Sequence, residues 1–166
     1  MHIRTFVVPF LTALGSLISS AVIADVERYP LPNGSTFPIA QAVEVKSGNI
    51  VFLSGATPAP ADADAGVGNP AYYGDTKTQT ISVLNRIKQN LEGMGLDMGD
   101  VIKLQVFLVG DPENEGNMDF SGFMEGYTQF FGTQDQPNLP SRSAFQIASL
   151  VAPLMFVEIE ATAVRD

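Results

Sequence analysis

Reactive side chains are scarce in this sequence of 166 residues. Cysteine is absent, and the only histidine is His2. The lack of cysteine excludes disulfides, thiolate nucleophiles and cysteine metal sites. Because His2 lies in a segment that we expect to be removed, the mature chain cannot use a Ser-His or Cys-His mechanism, and any metal would need oxygen ligands. Catalysis would therefore rest on carboxylates, Arg, Lys, Tyr, Ser or the backbone.

The first 24 residues have the pattern of a secretory signal peptide. They begin with a positive charge at Arg4, continue through an apolar stretch and end in small residues. We expect cleavage after Ala24, with cleavage after Ala21 as the alternative. An uncleaved anchor is disfavoured, because the apolar run is shorter than the ~20 residues of a spanning helix. The protein is therefore expected to be periplasmic or secreted.

The mature chain is acidic. Removing 24 of the 166 residues leaves 142, enough for one domain with one core. Arg4 is the only Lys or Arg in the removed segment, so 8 basic residues remain against 18 acidic ones, a formal charge of −10. Such a surface repels phosphate backbones and anionic lipids. We therefore expect no nucleic-acid partner and no membrane association after cleavage.

The remaining sequence predicts one α+β domain over residues 37–166, preceded by a loosely held arm over 25–36 that is rich in Pro, Gly, Asn and Ser. The hydrophobic periodicity and turn residues predict the order β-β-α-β-α-β-β. The predicted elements are a β-hairpin over 41–54, a long loop over 55–74, a helix over 75–94, a strand over 101–109, a helix over 120–131, and strands over 143–148 and 155–164.

Two helices on one face of a mixed sheet leave the other face uncovered, so that face must be polar or buried against another copy. In the last predicted strand, small and branched apolar residues alternate with Glu158 and Glu160, which places two acids on one face. The second helix carries an aromatic stripe that includes Tyr127, and a stripe at this spacing is typical of a core rather than a cofactor site.

Arg142 stands between a proline-containing loop and a predicted strand. A guanidinium offers a planar fork of donors that can hold a carboxylate through two hydrogen bonds, which lysine cannot do. From the residues alone, the favoured interpretation is structural: Arg142 pairs with an acid across an interface, and Glu158 with Glu160 forms a solvated strand face. The residues leave this alternative and a ligand-binding role open.

Several segments together resemble the RidA (YjgF) family of imine and enamine deaminases. The resemblance covers roughly residues 37–165, and it depends on the order and spacing of the segments rather than on one specific motif. The segments are FPIAQAV with IVFLSG, QTISVLNRIKQNLEGMGLDMGDVIKLQVFL, GYTQFFG, PSRSAFQIASL and VEIEATAV.

The resemblance implies a chorismate-mutase-like fold assembled as a homotrimer, with three ligand sites in clefts between subunits and no cofactor or metal. It implies that Arg142 binds the substrate carboxylate and that Glu158 positions water. Ser54 lines the pocket or bonds the backbone at a strand end, and Gly55 serves backbone conformation or close packing. The residues implied to line the pocket are Arg142, Ser54, Gly55, Ile39, Ala144, Met124 and Tyr127.

The sequence departs from the family pattern at several of these positions. Ile39 replaces a tyrosine, Ala56 a glutamine, Met124 an asparagine and Ala144 a cysteine, so the pocket has lost polar side chains. Residues 149–154 contain one residue more than the common pattern, which implies a reshaped loop before Glu158.

Three functions are compatible with this pattern. The first is hydrolytic deamination of small imines or enamines of the 2-iminopropanoate or 2-iminobutanoate type, releasing ammonia. The alternative is a noncatalytic periplasmic protein that binds a small carboxylate in the same cleft. Ribonuclease activity is the third, and the charge of −10 and the absence of histidine from the mature chain argue against it.

Overall fold

Six strands and three helices build the part of the chain that the computed structural model describes, residues 24–165. The predicted signal peptide lies outside these residues except for Ala24. Within residues 24–165, no helix is both long and apolar enough to cross a membrane. The elements are β1 (Asp25–Pro30), β2 (Ala40–Ser47), β3 (Asn49–Ala56), α1 (Pro70–Tyr73), α2 (Thr76–Glu92), β4 (Val101–Val109), α3 (Phe120–Tyr127), β5 (Ser141–Ile147) and β6 (Val157–Arg165).

The main sheet has four strands in the order β3-β6-β4-β5. β6 pairs antiparallel with both β3 and β4, whereas β4 and β5 are parallel. A parallel pair needs a crossover connection, and α3 lies in the connection between β4 and β5. The α+β class and the mixed sheet are therefore confirmed.

The two long helices cover one face of this sheet, as predicted. Alternate residues of β6, Val157, Ile159, Ala161 and Ala163, are buried in one core with the apolar residues of both helices. Asp75 caps α2, because its carboxylate accepts a hydrogen bond from the Thr78 backbone N–H at 2.7 Å. A hydrogen bond from the Thr78 side chain, together with this one from its backbone, lowers the pKa of the Asp75 carboxyl.

The predicted hairpin over residues 41–54 is wrong. β2 lies in a separate two-stranded sheet with β1, whereas β3 pairs with β6 from Asn49 opposite Arg165 onward. Both runs are strands, but each finds a partner distant in sequence rather than its neighbour. Turn residues between two β-prone runs predict where the chain bends, and they do not decide which strand each run pairs with.

The segment predicted as a loosely held arm contains β1. Val26 and Arg28 are half-buried between exposed neighbours, and β1 pairs antiparallel with β2 over its whole length. Arg28 also donates from Nη2 to the carbonyl of Gly99 at 2.8 Å, which ties β1 to the turn before β4. The loop-forming composition that suggested an arm is concentrated in the residues after β1.

Helix α3 is shorter than predicted. It ends at Tyr127, with Thr128 as its C-cap, and turns replace the expected helix over the following residues. Phe131 is nevertheless buried, and its ring stacks on that of Tyr127 at a centroid distance of 5.0 Å. The apolar stripe therefore continues beyond the helix because the chain turns back onto the same core.

A buried glutamine joins the start of α2 to the segment that enters β6. The side chain of Gln79 is fully buried. Its Nε2 donates to the carbonyls of Gly74 and Leu154, both at 2.9 Å, and its Oε1 accepts from the Phe156 N–H at 2.6 Å. This one amide makes three backbone hydrogen bonds, two of them with the residues before β6, and these two hold the segment from which β6 begins.

We predict that Gln79→Leu lowers the free energy of unfolding by about 3 kcal/mol, because it leaves buried backbone groups without partners. Urea denaturation at fixed protein concentration measures the change. Gln89→Leu, at an exposed position of the same helix, is the matched control and should change the unfolding free energy little. Equal effects of the two substitutions would contradict the role of the Gln79 amide.

Candidate functional site

Arg142 lies on the helix-covered face of the four-stranded sheet. β5 runs parallel to β4 with Arg142 in register with Leu104, which is fully buried. Paired residues of neighbouring strands point to the same face of a sheet. The Arg142 side chain is therefore directed toward α3, and Ala144, in register with Val106, follows it on the same face.

Four aromatic rings surround the guanidinium. The distances from the Cζ atom of Arg142 to the ring centroids are 4.3 Å for Tyr127, 5.0 Å for Phe123, 5.4 Å for Phe37 and 5.8 Å for Phe120. Three of the rings belong to α3, where steps of three and four residues place them on one side of the helix. The faces of aromatic rings attract cations, so these rings hold the positive charge in place without neutralising it.

One guanidinium nitrogen of Arg142 lacks a hydrogen-bond acceptor in the described part of the chain. Its Nη1 is buried and has no hydrogen-bond partner there, and the ion pairs within residues 24–165 involve other residues. Burial lowers the pKa of Arg142, and the nearby Tyr127 acts in the opposite direction. A buried donor without an acceptor is costly, so a carboxylate placed there would be stabilised.

The hydroxyl of Tyr127 is already engaged. The residue is fully buried, and its hydroxyl donates a hydrogen bond to the Pro38 carbonyl at 2.9 Å. Burial raises the pKa of Tyr127, while the charge of Arg142 acts in the opposite direction. Tyr127 therefore supplies a neutral ring to the Arg142 surroundings and anchors the segment that carries Phe37.

Glu158 lies on the opposite face of the sheet from Arg142. It is half-buried between Val157 and Ile159, both fully buried on the helix-covered face, and it is in register with Phe107 of β4. Successive side chains of a strand alternate between the two faces. The two groups that the sequence analysis combined in one mechanism therefore cannot meet within one chain.

Gly55 leaves room for the Glu158 carboxylate. A Cβ atom built on Gly55 would lie 2.1 Å from Oε1 of Glu158. The carboxylate thus occupies the space that the side chain of any larger residue at position 55 would fill. Gly55 therefore serves close packing, as one of its two predicted roles, through its contact with Glu158. Ser54, the neighbouring residue, is exposed and lines a groove of about 630 Å³ together with Gly55 and Arg86 of α2.

The other predicted pocket residues are dispersed. Ile39 is half-buried and lines a groove of about 290 Å³ together with Phe37 and Leu139. Met124 is half-buried on α3 and packs against the core. The single chain therefore brings Arg142, Tyr127 and Ala144 to one face of the sheet, and it brings Glu158 to Gly55 on the other.

The aromatic surroundings of Arg142 do not follow from the sequence prediction. Phe120 and Phe123 belong to the aromatic stripe that is predicted as core, although their spacing with Tyr127 places three rings on one side of a helix. Phe37 gave no usable signal, because it lies in an irregular segment before β2. Its position follows from long-range contacts, including the hydrogen bond between Tyr127 and Pro38.

Comparisons with known proteins identify the family of this chain. The family model described as endoribonuclease L-PSP matches residues 35–165. A RutC family protein of Pyrococcus horikoshii is 34% identical over 140 residues, covering 84% of this chain and 94% of that protein. The chain belongs to the RidA (YjgF) family.

Relatives in the RidA family include a named deaminase. The 2-iminobutanoate/2-iminopropanoate deaminase of Salmonella typhimurium is 32% identical over 128 residues, covering 77% of this chain and 88% of that protein. A solved Rid family structure from Yersinia pestis matches with a TM-score of 0.61 and 25% identity, covering 82% of this chain and 97% of that one. The Escherichia coli YjgF structure matches with a TM-score of 0.53 and 30% identity, covering 80% and 91%.

We predict that Gly55→Ala displaces the Glu158 carboxylate, because the added methyl group would overlap Oε1. In a double-mutant cycle with Glu158→Ala, the coupling free energy should be about 1 kcal/mol, since the clash is absent without the carboxylate. Gly93→Ala is the control: its backbone is helical, and an added Cβ would be 3.4 Å from the nearest atom. Additive effects of Gly55→Ala and Glu158→Ala on unfolding would contradict the contact.

Proposed function

We propose that this protein is a hydrolytic deaminase of small 2-imino acids, in which Arg142 binds the substrate carboxylate. The observation that supports the proposal is the environment of the Arg142 guanidinium. It is held by four rings, it has no carboxylate partner among the described residues, and its Nη1 is buried without an acceptor. The residue as a whole is half-buried rather than fully buried.

The reaction needs a substrate held in a fixed orientation and one side chain that transfers protons. A 2-imino acid has a planar carboxylate beside its C=N bond, and the fork of Arg142 would fix the orientation of both. A water oxygen then bonds to the imine carbon while Glu158 takes a proton from that water and passes it to the nitrogen. In the resulting carbinolamine, Glu158 takes the proton of the new hydroxyl and passes it to the nitrogen as the C–N bond breaks, so that ammonia and a 2-oxo acid leave.

The second part of the proposal is that Glu158 acts from a neighbouring copy of the chain. Arg142 and Glu158 of one chain point to opposite faces of the sheet, so one chain cannot place both at one substrate. The face without helices carries aromatic side chains suited to contact with another copy. Phe52 is 80% exposed and Phe145 is 49% exposed, and Phe145 lies 6.5 Å from Phe107 between ring centroids. A homotrimer would bury this face and join the two groups.

The comparisons support a deaminase more than a ribonuclease. The Salmonella typhimurium relative is named for 2-iminobutanoate and 2-iminopropanoate. The family model carries the name of an endoribonuclease, but the excess of acidic residues opposes contact with a polyanion. The ligand of the proposed site is accordingly a small carboxylate rather than RNA.

Ammonia release from freshly generated 2-iminopropanoate tests the proposal. Arg142→Ala should lower kcat/KM by about 10²-fold or more, because the carboxylate loses its orienting partner. Arg142→Lys should also be impaired, since an ammonium keeps the charge without the planar fork. Lys88→Ala removes an exposed charge from α2 and should retain activity. An active Arg142→Ala variant would exclude the proposed mechanism, and carboxylate binding without turnover by the wild type would favour the binding-protein alternative.

Mixing two inactive variants tests whether the site is shared. Arg142→Ala and Glu158→Gln should each be inactive as pure proteins. Refolded together in equal amounts, they should recover about one quarter of the wild-type activity, because one site in four would combine an intact Arg142 with an intact Glu158 of its neighbour. No recovery from mixed oligomers would show that both groups act within one chain.

We further propose that the protein works outside the cytoplasm after loss of residues 1–24. The support is the signal-peptide pattern of the sequence. In a bacterial host, the full chain should be recovered from the periplasmic fraction with a mass that corresponds to a first residue at Asp25, or at Val22 for the alternative cleavage. Recovery of the uncleaved chain from the cytoplasmic fraction would contradict the proposal.

A further inference from the structure

An apolar groove adjoins one of the rings around Arg142. Its volume is about 290 Å³, and it lies between the end of β1, the segment before β2 and the loop before β5. Phe37 lines this groove, and its ring centroid also lies 5.4 Å from the Cζ of Arg142. The apolar residues of the lining include Leu31, Phe37, Ile39 and Leu139, and its polar residues include Arg28 and Asn138.

Several polar groups of the groove lining already have hydrogen-bond partners. Nη2 of Arg28 and Nδ2 of Asn138 both donate to the Gly99 carbonyl, at 2.8 and 3.3 Å. The hydroxyl of Ser35 accepts from the Phe37 N–H at 3.3 Å. A polar ligand group that approached these atoms would compete with existing hydrogen bonds, whereas an apolar group would not.

The helix side of Arg142 is similarly closed to polar ligand groups. The Tyr127 hydroxyl is bonded to Pro38. The next polar residue on the same face of β5 is Gln146, whose amide accepts from the Met118 N–H and donates to the Gly116 carbonyl, both at 2.9 Å. Apart from the guanidinium, the site offers rings and aliphatic groups.

We infer that the site selects 2-imino acids with branched or extended apolar side chains, which would lie against Phe37 and enter this groove. The inference rests on the proposed function for its reaction, and it adds the substrate class. Arg142 would hold the carboxylate, and Phe37, next to both the guanidinium and the groove, would form the wall that contacts the substrate side chain. Phe37 is 40% exposed, so its ring has surface available for a ligand.

The size of the groove sets the expected preference. A side chain of leucine size fits within 290 Å³, whereas the methyl group of 2-iminopropanoate would leave most of the space empty. Burying additional methylene groups in an apolar site increases kcat/KM by about tenfold or more. A polar side chain of similar length gains less, because it must give up hydrogen bonds to water.

A comparison of imines formed in situ by an amino-acid oxidase tests the inference. The imines derived from leucine, alanine and glutamine should be hydrolysed with kcat/KM highest for leucine, about tenfold above alanine. The glutamate-derived imine tests the opposing case, in which Arg28, whose buried Nε lacks a partner within residues 24–165, attracts a second carboxylate. Preference for the glutamine-derived or glutamate-derived imine, or equal rates for leucine and alanine, would overturn the inference.

Variants at Phe37 test whether this side chain causes the preference for apolar substrates. Phe37→Ala should reduce the leucine-to-alanine ratio of kcat/KM to within about threefold, since the apolar wall is lost. Phe37→Leu should retain most of the ratio because it keeps an apolar wall. Val151→Ala, at an apolar position that is 87% exposed, is the control and should leave the ratio unchanged. An unchanged ratio in Phe37→Ala would show that Phe37 does not contact the substrate side chain.

Binding measurements separate this inference from the proposed function. Calorimetry with 4-methylpentanoate and acetate compares two unreactive carboxylates that differ in their apolar part. The wild type should bind 4-methylpentanoate at least about tenfold more tightly, and Phe37→Ala should lose this difference. If no imine is hydrolysed but this difference is found, the deaminase proposal fails and the apolar site stands. If imines are hydrolysed and neither measurement shows selectivity, the inference fails alone.

Discussion

The alternation of side chains along a strand is the constraint on which the proposed chemistry of this protein depends. β5 presents Arg142 to the helices, and β6 presents Glu158 to the other side of the same sheet. Neither side chain can change face without a shift of strand register, and such a shift would expose the buried residues of β6. A mechanism that uses both groups therefore requires two chains. The exposed aromatic residues on the face without helices make an association of copies physically reasonable.

The surroundings of Arg142 combine attraction with desolvation. Four rings stabilise the cation through their faces, while burial lowers its pKa and leaves Nη1 without an acceptor among residues 24–165. A carboxylate that reaches this guanidinium meets a donor with few competing partners, in a place where charge interactions are stronger than in water. The same rings offer no polar groups to a substrate side chain, so the proposed recognition of a carboxylate and the inferred preference for an apolar side chain have a common origin.

Most elements of the fold and part of the candidate site could be predicted from the sequence. Regular periodicity located α2 and β4 closely, because their apolar residues repeat over many positions. The sequence did not predict which strands pair, because long-range packing decides strand pairing. β2 and β3 join different sheets, and the residues predicted as a loosely held arm include β1. Arg142 and Glu158 were found through family resemblance, but their placement on opposite faces required the register of β4 with its neighbours. Phe37 lies in irregular backbone, where no periodic pattern indicates what a side chain contacts.

The two-stranded ribbon formed by β1 and β2 determines the position of one aromatic side chain of the site. Phe37 belongs to the connection between these two strands, and the ribbon is attached to the rest of the fold on both sides of that connection. Nη2 of Arg28 donates to the Gly99 carbonyl at 2.8 Å, and the Ala40 N–H donates to the Pro140 carbonyl at 3.0 Å. These attachments keep the connection in place, and with it the Phe37 ring whose centroid lies 5.4 Å from the Cζ of Arg142.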